Sequence, residues 1–375
     1  MTASAPEAAA PEAAVLEESF GTRVWENIKG GNLGAFPVIF GLIIIVTFFS
    51  FWAPNFFTPV NFNNIITQMA GTTMLAYGVV FILLLGEIDL SIAYMSAVAG
   101  VIAAELQKPD GHHVIPGIWP IVIAVLVVAV IGAVQGSFVA IIGVPAFVVT
   151  LAGLLIWQGY VQLQLGAAGP IIIQNRWINY TAQYFLSDNT GWLIAAIISA
   201  LYVGGMLGTA AQQRRHGVGI GSPAFFAVKL LSVPIGAFLV VHICNKDRGL
   251  PLAGLEIILF LLLWTYVSKR TTFGRHVYAV GGNPEAARRA GISVARIRII
   301  VFAISGLMAA IGGIILAARL SSVSPDQGGG TLLLDSISAA VIGGTSLFGG
   351  RGEVRSAILG AAVISTISNA MFIKG

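Results

Sequence analysis

The feature that most constrains this chain is a succession of apolar runs, each close to the length that crosses a lipid bilayer. They fall at about 35–54, 65–85, 88–106, 118–142, 145–165, 191–209, 224–243, 252–268, 298–319, 331–348 and 354–372. A helix rises 1.5 Å per residue, so ~20 residues cover the hydrocarbon. An isolated strand would leave its backbone polar groups unsatisfied in lipid, whereas a helix pairs them internally. The expected fold is all-α, a polytopic transmembrane helical bundle of about 10–12 spans. The short run 331–348, with Gly343 and Gly344 inside it, reads either as a span or as a re-entrant segment.

Composition points the same way. The chain is 57% hydrophobic and only 10% charged, against roughly 25% charged in a soluble domain. The length of 375 residues alone suggests two or three soluble domains. The apolar runs replace them with one membrane domain over 35–375, behind a tail and lead-in at 1–34. Residues 1–18, rich in Ala, Glu and Pro, read as disordered and lack the basic start and apolar centre of a signal peptide. Residues 19–34 read as a short amphipathic lead-in carrying Arg23, Trp25 and Lys29. The chain ends abruptly after an apolar run, at Phe372-Ile373-Lys374-Gly375, as if a final helix were missing. Cys244 is the sole cysteine and the five histidines are scattered, so neither a disulfide within the chain nor a metal site is expected.

The basic residues set the orientation. With the N-terminus in the cytoplasm and the spans alternating, 14 of the 20 Lys and Arg lie inside and six outside. Those outside are Lys108, Arg176, Lys246, Arg248, Arg319 and Lys374. The net charge of +4 therefore reflects topology rather than nucleic-acid binding.

The longest basic gap, 269–298, has a pattern beyond charge. Gly281-Gly282-Asn283-Pro284 is a turn, with Asn283 placed to cap a helix and Pro284 at its first position. Glu285, Ala286, Ala287, Arg288, Arg289 and Ala290 form a short helix that Gly291 ends, and a second helix starts near Ser293. One reading is a positive anchor at the membrane surface. The other is a docking elbow, whose small residues admit a partner's groove and whose arginines reach its carboxylates.

Three segments carry a family resemblance. The run Glu285-Ala286-Ala287-Arg288-Arg289-Ala290-Gly291 resembles the EAA-x-x-x-G coupling loop of ABC-importer permeases. Leu334 to Gly352 resembles the signature of permeases for ribose, xylose and related monosaccharides. Gly86-Glu87-Ile88-Asp89-Leu90-Ser91 resembles their Gly-Gly-Ile-Asp-Leu-Ser segment, with Glu87 where a glycine is usual. The resemblance covers residues 35–372 and leans toward the xylose branch. It implies a bacterial inner-membrane permease importing a monosaccharide, a pentose such as D-xylose, by alternating access. It also implies two copies of the chain, an ATPase docked on the elbow and a soluble sugar-binding protein outside. No Gly-x4-Gly-Lys-[Ser/Thr] run occurs, so ATP and Mg are expected on the separate ATPase and no catalytic residues here. A proton- or sodium-coupled secondary sugar transporter is the alternative, but such a carrier has no use for an elbow.

Each candidate residue has a plain structural reading beside the functional one. Asp89 is either a helix N-cap or a gate or packing contact at the cytoplasmic mouth. Asp335 is either a cap or a pathway acid. Gln68, Trp157 and Gln158 suit sugar hydroxyls and sugar faces, yet also interhelical packing. Gly343, Gly344, Gly349 and Gly350 read as close-packing glycines.

Overall fold

The structure, a computed structural model, describes residues 36–108, 114–167, 169–217 and 223–375. The expected tail and lead-in at 1–34 lie outside the described residues. Among these, helices run as α1 (Phe36–Trp52), α2 (Pro59–Leu84), α3 (Ile92–Glu105), α4 (Trp119–Ser137), α5 (Ala146–Leu165), α6 (Arg176–Gln183) and α7 (Asp188–Arg215). They continue as α8 (Pro223–Cys244), α9 (Leu252–Arg270), α10 (Thr272–Gly282), α11 (Pro284–Arg289), α12 (Val294–Leu320), α13 (Leu332–Ile342) and α14 (Val354–Lys374). A π-helical turn, Phe138–Ile142, extends α4. Eight helices are long and apolar enough to cross a membrane, and α1, α3 and α13 are shorter apolar helices. The fold is the expected polytopic helical bundle.

The described residues of the smaller compact unit are 196–217 and 223–237, in and next to α7 and α8. Within it, Tyr202 Oη donates to the Lys229 carbonyl (3.1 Å).

The larger unit, 34–195 with 238–375, has a buried centre and an apolar rim. The second half of α2 is almost wholly buried, including Met74, Leu75, Tyr77 and Phe81, and packs on Val301, Phe302 and Met308 of α12. Small residues permit the approach. A Cβ at Gly132 would strike the Phe302 carbonyl, and one at Gly306 the Val128 carbonyl, so α4 and α12 touch backbone to backbone. Leu126 and Val130 on α4, Leu155 and Ile156 on α5, and Leu259 and Leu262 on α9 are exposed. A lipid-facing surface needs such a rim.

Contacts sort the loops of this unit into two ends. At one, Gly350 N donates to the Leu84 carbonyl (2.9 Å), Arg298 pairs with Glu87 (2.7 Å) and Thr150 Oγ1 donates to the Ile88 carbonyl (3.2 Å). At the other lie two short antiparallel ribbons, β1 (Ile171–Ile172) with β4 (Ser322–Val323) and β2 (Phe185–Leu186) with β3 (Leu250–Pro251). Gln107 joins that ribbon end by accepting from Gln174 N and Asn175 N, both at 3.0 Å.

Two expected spans differ from the sequence reading. The run 88–106 is helical only from Ile92, and 331–348 only over Leu332–Ile342. Gly86, Gly344, Gly349, Gly350 and Gly352 all have positive φ, which stops a helix in each flank. The freed backbone is instead paired against protein, as non-helical chain at membrane depth requires. The run 331–348 does not return to the ribbon end. Helix α13 runs antiparallel to α14, with Ala339 beside Gly360 and Gly343 beside Ser356, and the chain then reaches Leu84 through Gly350.

Candidate functional site

The elbow forms from local signals. Asn283 Oδ1 accepts from Ala286 N (3.0 Å), Pro284 opens α11, and Glu285 pairs with Arg288 one turn on (2.7 Å). At the far end Gly291 (φ +84°) donates to the Arg288 carbonyl and Ile292 to the Ala287 carbonyl, each at 3.0 Å. That pair of bonds is a Schellman stop, which favours glycine at its left-handed position. Ala287 alone of α11 is buried; Glu285, Ala286, Arg288 and Arg289 are exposed. Helix α12 follows from Ser293, as the sequence reading expects.

Helix α10, which the sequence reading missed, holds the elbow against the bundle. Thr271 caps it by accepting from Gly274 N (3.1 Å), and Val277 and Val280 are buried. At its end a Cβ on Gly281 would collide with the Leu84 carbonyl. Gly349 and Gly350 lie against Gly281 and Gly282, so Gly349 and Gly350 are close-approach glycines. Gly343 is another, against the Ser356 carbonyl, whereas Gly344 (φ +99°) has open space and serves the turn. Tyr278 Oη donates to the Gly352 carbonyl (2.8 Å). Burial, reinforced by the Glu353 charge, pushes this phenol up and keeps it a donor. Glu353 takes Lys269 (2.6 Å) and Arg355. Partial burial opposes its charged form, but those partners win and hold its carboxyl below the usual range.

Asp89 is buried and is locked between helices. Its Oδ1 accepts from Ser91 N (3.0 Å) and Ser91 Oγ (2.6 Å), and its Oδ2 accepts from Ser305 Oγ (2.8 Å) on α12. The bond to Ser91 N is a local turn ahead of α3, whose N-cap is Ser91 and carries no side-chain cap bond, so Asp89 is not the cap itself. The bond to Ser305 is a tie between elements. Glu87, in place of the usual glycine, uses its side chain to hold Arg298 in the first turns of α12.

Toward the ribbon end, α2, α12, α13 and α14 enclose a half-open cavity of about 260 Å³. Gln68, Thr72, Arg319, Asp335, Ser365 and Ser368 supply its polar lining. Gln68 and Ser365 each lie nine residues from their helix ends, about 14 Å in at 1.5 Å per residue. Arg319 sits near the last turn of α12, where side chains tilt back toward the helix start and so down into the cavity. Thr331 Oγ1 donates to Asp335 Oδ2 (2.7 Å), and buried Asn369 donates to Gln68 Oε1 (3.3 Å). The structure therefore brings together Gln68 and Asp335. Arg319, counted from sequence only as an outside charge, joins them. Trp157 and Gln158 lie elsewhere, on α5, Trp157 half-buried against the core and Gln158 exposed.

The family described as "Branched-chain amino acid transport system / permease component" matches residues 61–374. The xylose transport system permease protein of Escherichia coli (strain K12) is 36% identical, over 92% of this chain and 87% of its own length. The corresponding xylose protein of Haemophilus influenzae is 33% identical, covering 92% and 91%. The ribose import permease protein of E. coli is 31% identical, covering 90% and 85%. No solved structure matches. A match that takes in the elbow, the glycine turn and the whole cavity settles the family: the chain belongs to these ABC-transporter permeases, among their ribose- and xylose-type members.

Proposed function

We propose that this chain is the membrane subunit of an ATP-driven monosaccharide importer, with a pentose such as D-xylose as cargo, acting as a pair of copies. The elbow is the observation that carries the reading. Its six-residue helix is pinned at both ends and anchored by buried Ala287, and it presents Arg288 and Arg289 outward. A separate ATPase, binding ATP and Mg, docks there and meets those arginines with carboxylates. A soluble binding protein delivers sugar to the ribbon end. Described basic residues of the larger unit support a cytoplasmic elbow and N-terminus: nine lie toward the elbow and six toward the ribbons.

Both charges of the cavity are wired to the elbow. Arg319 closes the helix that starts right after it, and Asp335 opens the helix whose glycine turn rests on Gly281 and Gly282. Movement of the elbow as the ATPases close thus shifts α12 and α13 together, opening the cavity first to one side and then to the other. The chain performs no covalent chemistry. The test is co-purification of the ATPase encoded with this chain, using wild type and Glu285→Arg. Wild type should retain the ATPase and stimulate its hydrolysis, and Glu285→Arg should lose that stimulation while inserting normally. A wild-type chain that retains no ATPase would overturn the reading.

A further inference from the structure

We infer that the cavity is a sugar-selecting site of the permease itself, in which Arg319 and Asp335 together grip adjacent hydroxyls of a neutral monosaccharide. The inference rests on the importer reading and adds to it a site where the permease, and not only its binding protein, chooses cargo.

The hydroxyls argue first. Helical Thr67, Thr73, Ser137 and Ser336 each give their proton to a carbonyl of their own helix, at 2.7–3.0 Å. That is the usual resting place for a hydroxyl in an apolar bundle. Thr72, Ser365 and Ser368 line the cavity and make no such bond among the described residues. Gln68 Oε1 is used by Asn369, which leaves the Gln68 amide donor facing the cavity. Asn369 Oδ1, buried beside it, has no partner. Polar groups this deep in a membrane bundle need a polar occupant.

The charges argue second. Arg319 and Asp335 line one cavity yet form no ion pair within 4.0 Å of each other, and Thr331 occupies only one carboxylate oxygen. The guanidinium offers donors and the free carboxylate oxygen an acceptor, and each sugar hydroxyl is both donor and acceptor. Charge-assisted bonds of this kind are the strong ones and are directional. The two charges cancel, which suits an uncharged cargo. Phe372, 85% exposed at the mouth, supplies an apolar face for the sugar's C–H surface. An amino acid's ammonium and carboxylate would also complement the pair, but hydroxyls and an amide are a poor lining for a branched aliphatic side chain.

The experiment places a reporter in the cavity. Ser368→Cys in a Cys244→Ala background is modified with a water-soluble maleimide in the assembled transporter, with D-xylose, a deoxy-xylose series or L-leucine added. D-xylose should slow labelling at least threefold, and one deoxy analogue should protect less. Asp335→Asn or Arg319→Gln, added to the reporter, should abolish protection and that discrimination, with the cysteine still labelled when no sugar is added. Absent xylose protection alongside normal ATP-driven uptake by the wild type would overturn the site and leave the importer reading intact. Protection by L-leucine rather than xylose would overturn the sugar assignment.

Discussion

Asp89 shows what a single residue can do where an apolar bundle leaves no water. Three hydrogen bonds replace its hydration, and one of them reaches Ser305 on another helix. Asp89→Ala should cost about 1–3 kcal/mol, since it leaves the buried Ser91 and Ser305 hydroxyls without their acceptor. Thermal unfolding in detergent measures it, and sugar selectivity should not change. Gly349 carries a different constraint: positive φ and a neighbour, Gly281, with no room for a Cβ. Gly349→Ala should lose about 1–3 kcal/mol of local stability, read as reduced folded yield and uptake. Glu353 has a lowered carboxyl, so its tie to Lys269 and Arg355 is fully present above the ordinary value of 4.5 and lost as pH falls below it. Coupled hydrolysis should fall in that acidic window, and Glu353→Gln should show the loss at neutral pH. Of this scale, only the local bond of Asp89 to Ser91 was legible, because that partner is two residues away. The tie to Ser305 was not, because nothing local in a sequence announces a contact 216 residues distant.

At the scale of elements, the elbow was readable almost residue by residue. Caps, a first-turn proline and a terminal glycine act locally and need no tertiary information. Asn283→Ala should cost about 1 kcal/mol at that helix start. Gly291→Pro should uncouple ATP hydrolysis from uptake without blocking insertion, because proline cannot take the positive φ of the Schellman stop. Normal coupled uptake by Gly291→Pro would reduce the loop to a surface anchor. Helix α10 escaped notice because Gly274, Gly281 and Gly282 are poor helix formers. Packing of Val277 and Val280 overrides that propensity, and Gly281 is needed for its approach to Leu84. The half-length α13 was missed for the converse reason. Its run continues apolar through Val341 and Ile342, while the stop is set by glycine geometry downstream.

For the whole molecule, the apolar runs were enough to read a polytopic helical bundle. They could not assemble the cavity, whose lining comes from four helices far apart in sequence. Arg319 illustrates the gap: counted only as a charge outside the membrane, it also lines the cavity with Gln68 and Asp335. The orientation is itself testable by labelling single cysteines in intact cells. Ala290→Cys, exposed on the elbow, should react only after the membrane is permeabilised, whereas Lys246→Cys should react from outside. The most direct test of the central claim is xylose uptake into vesicles carrying this chain, its ATPase and its binding protein. ATP supplied on the elbow side should drive accumulation that ignores collapse of the proton and sodium gradients. Accumulation that follows either gradient with ATP absent would contradict the account.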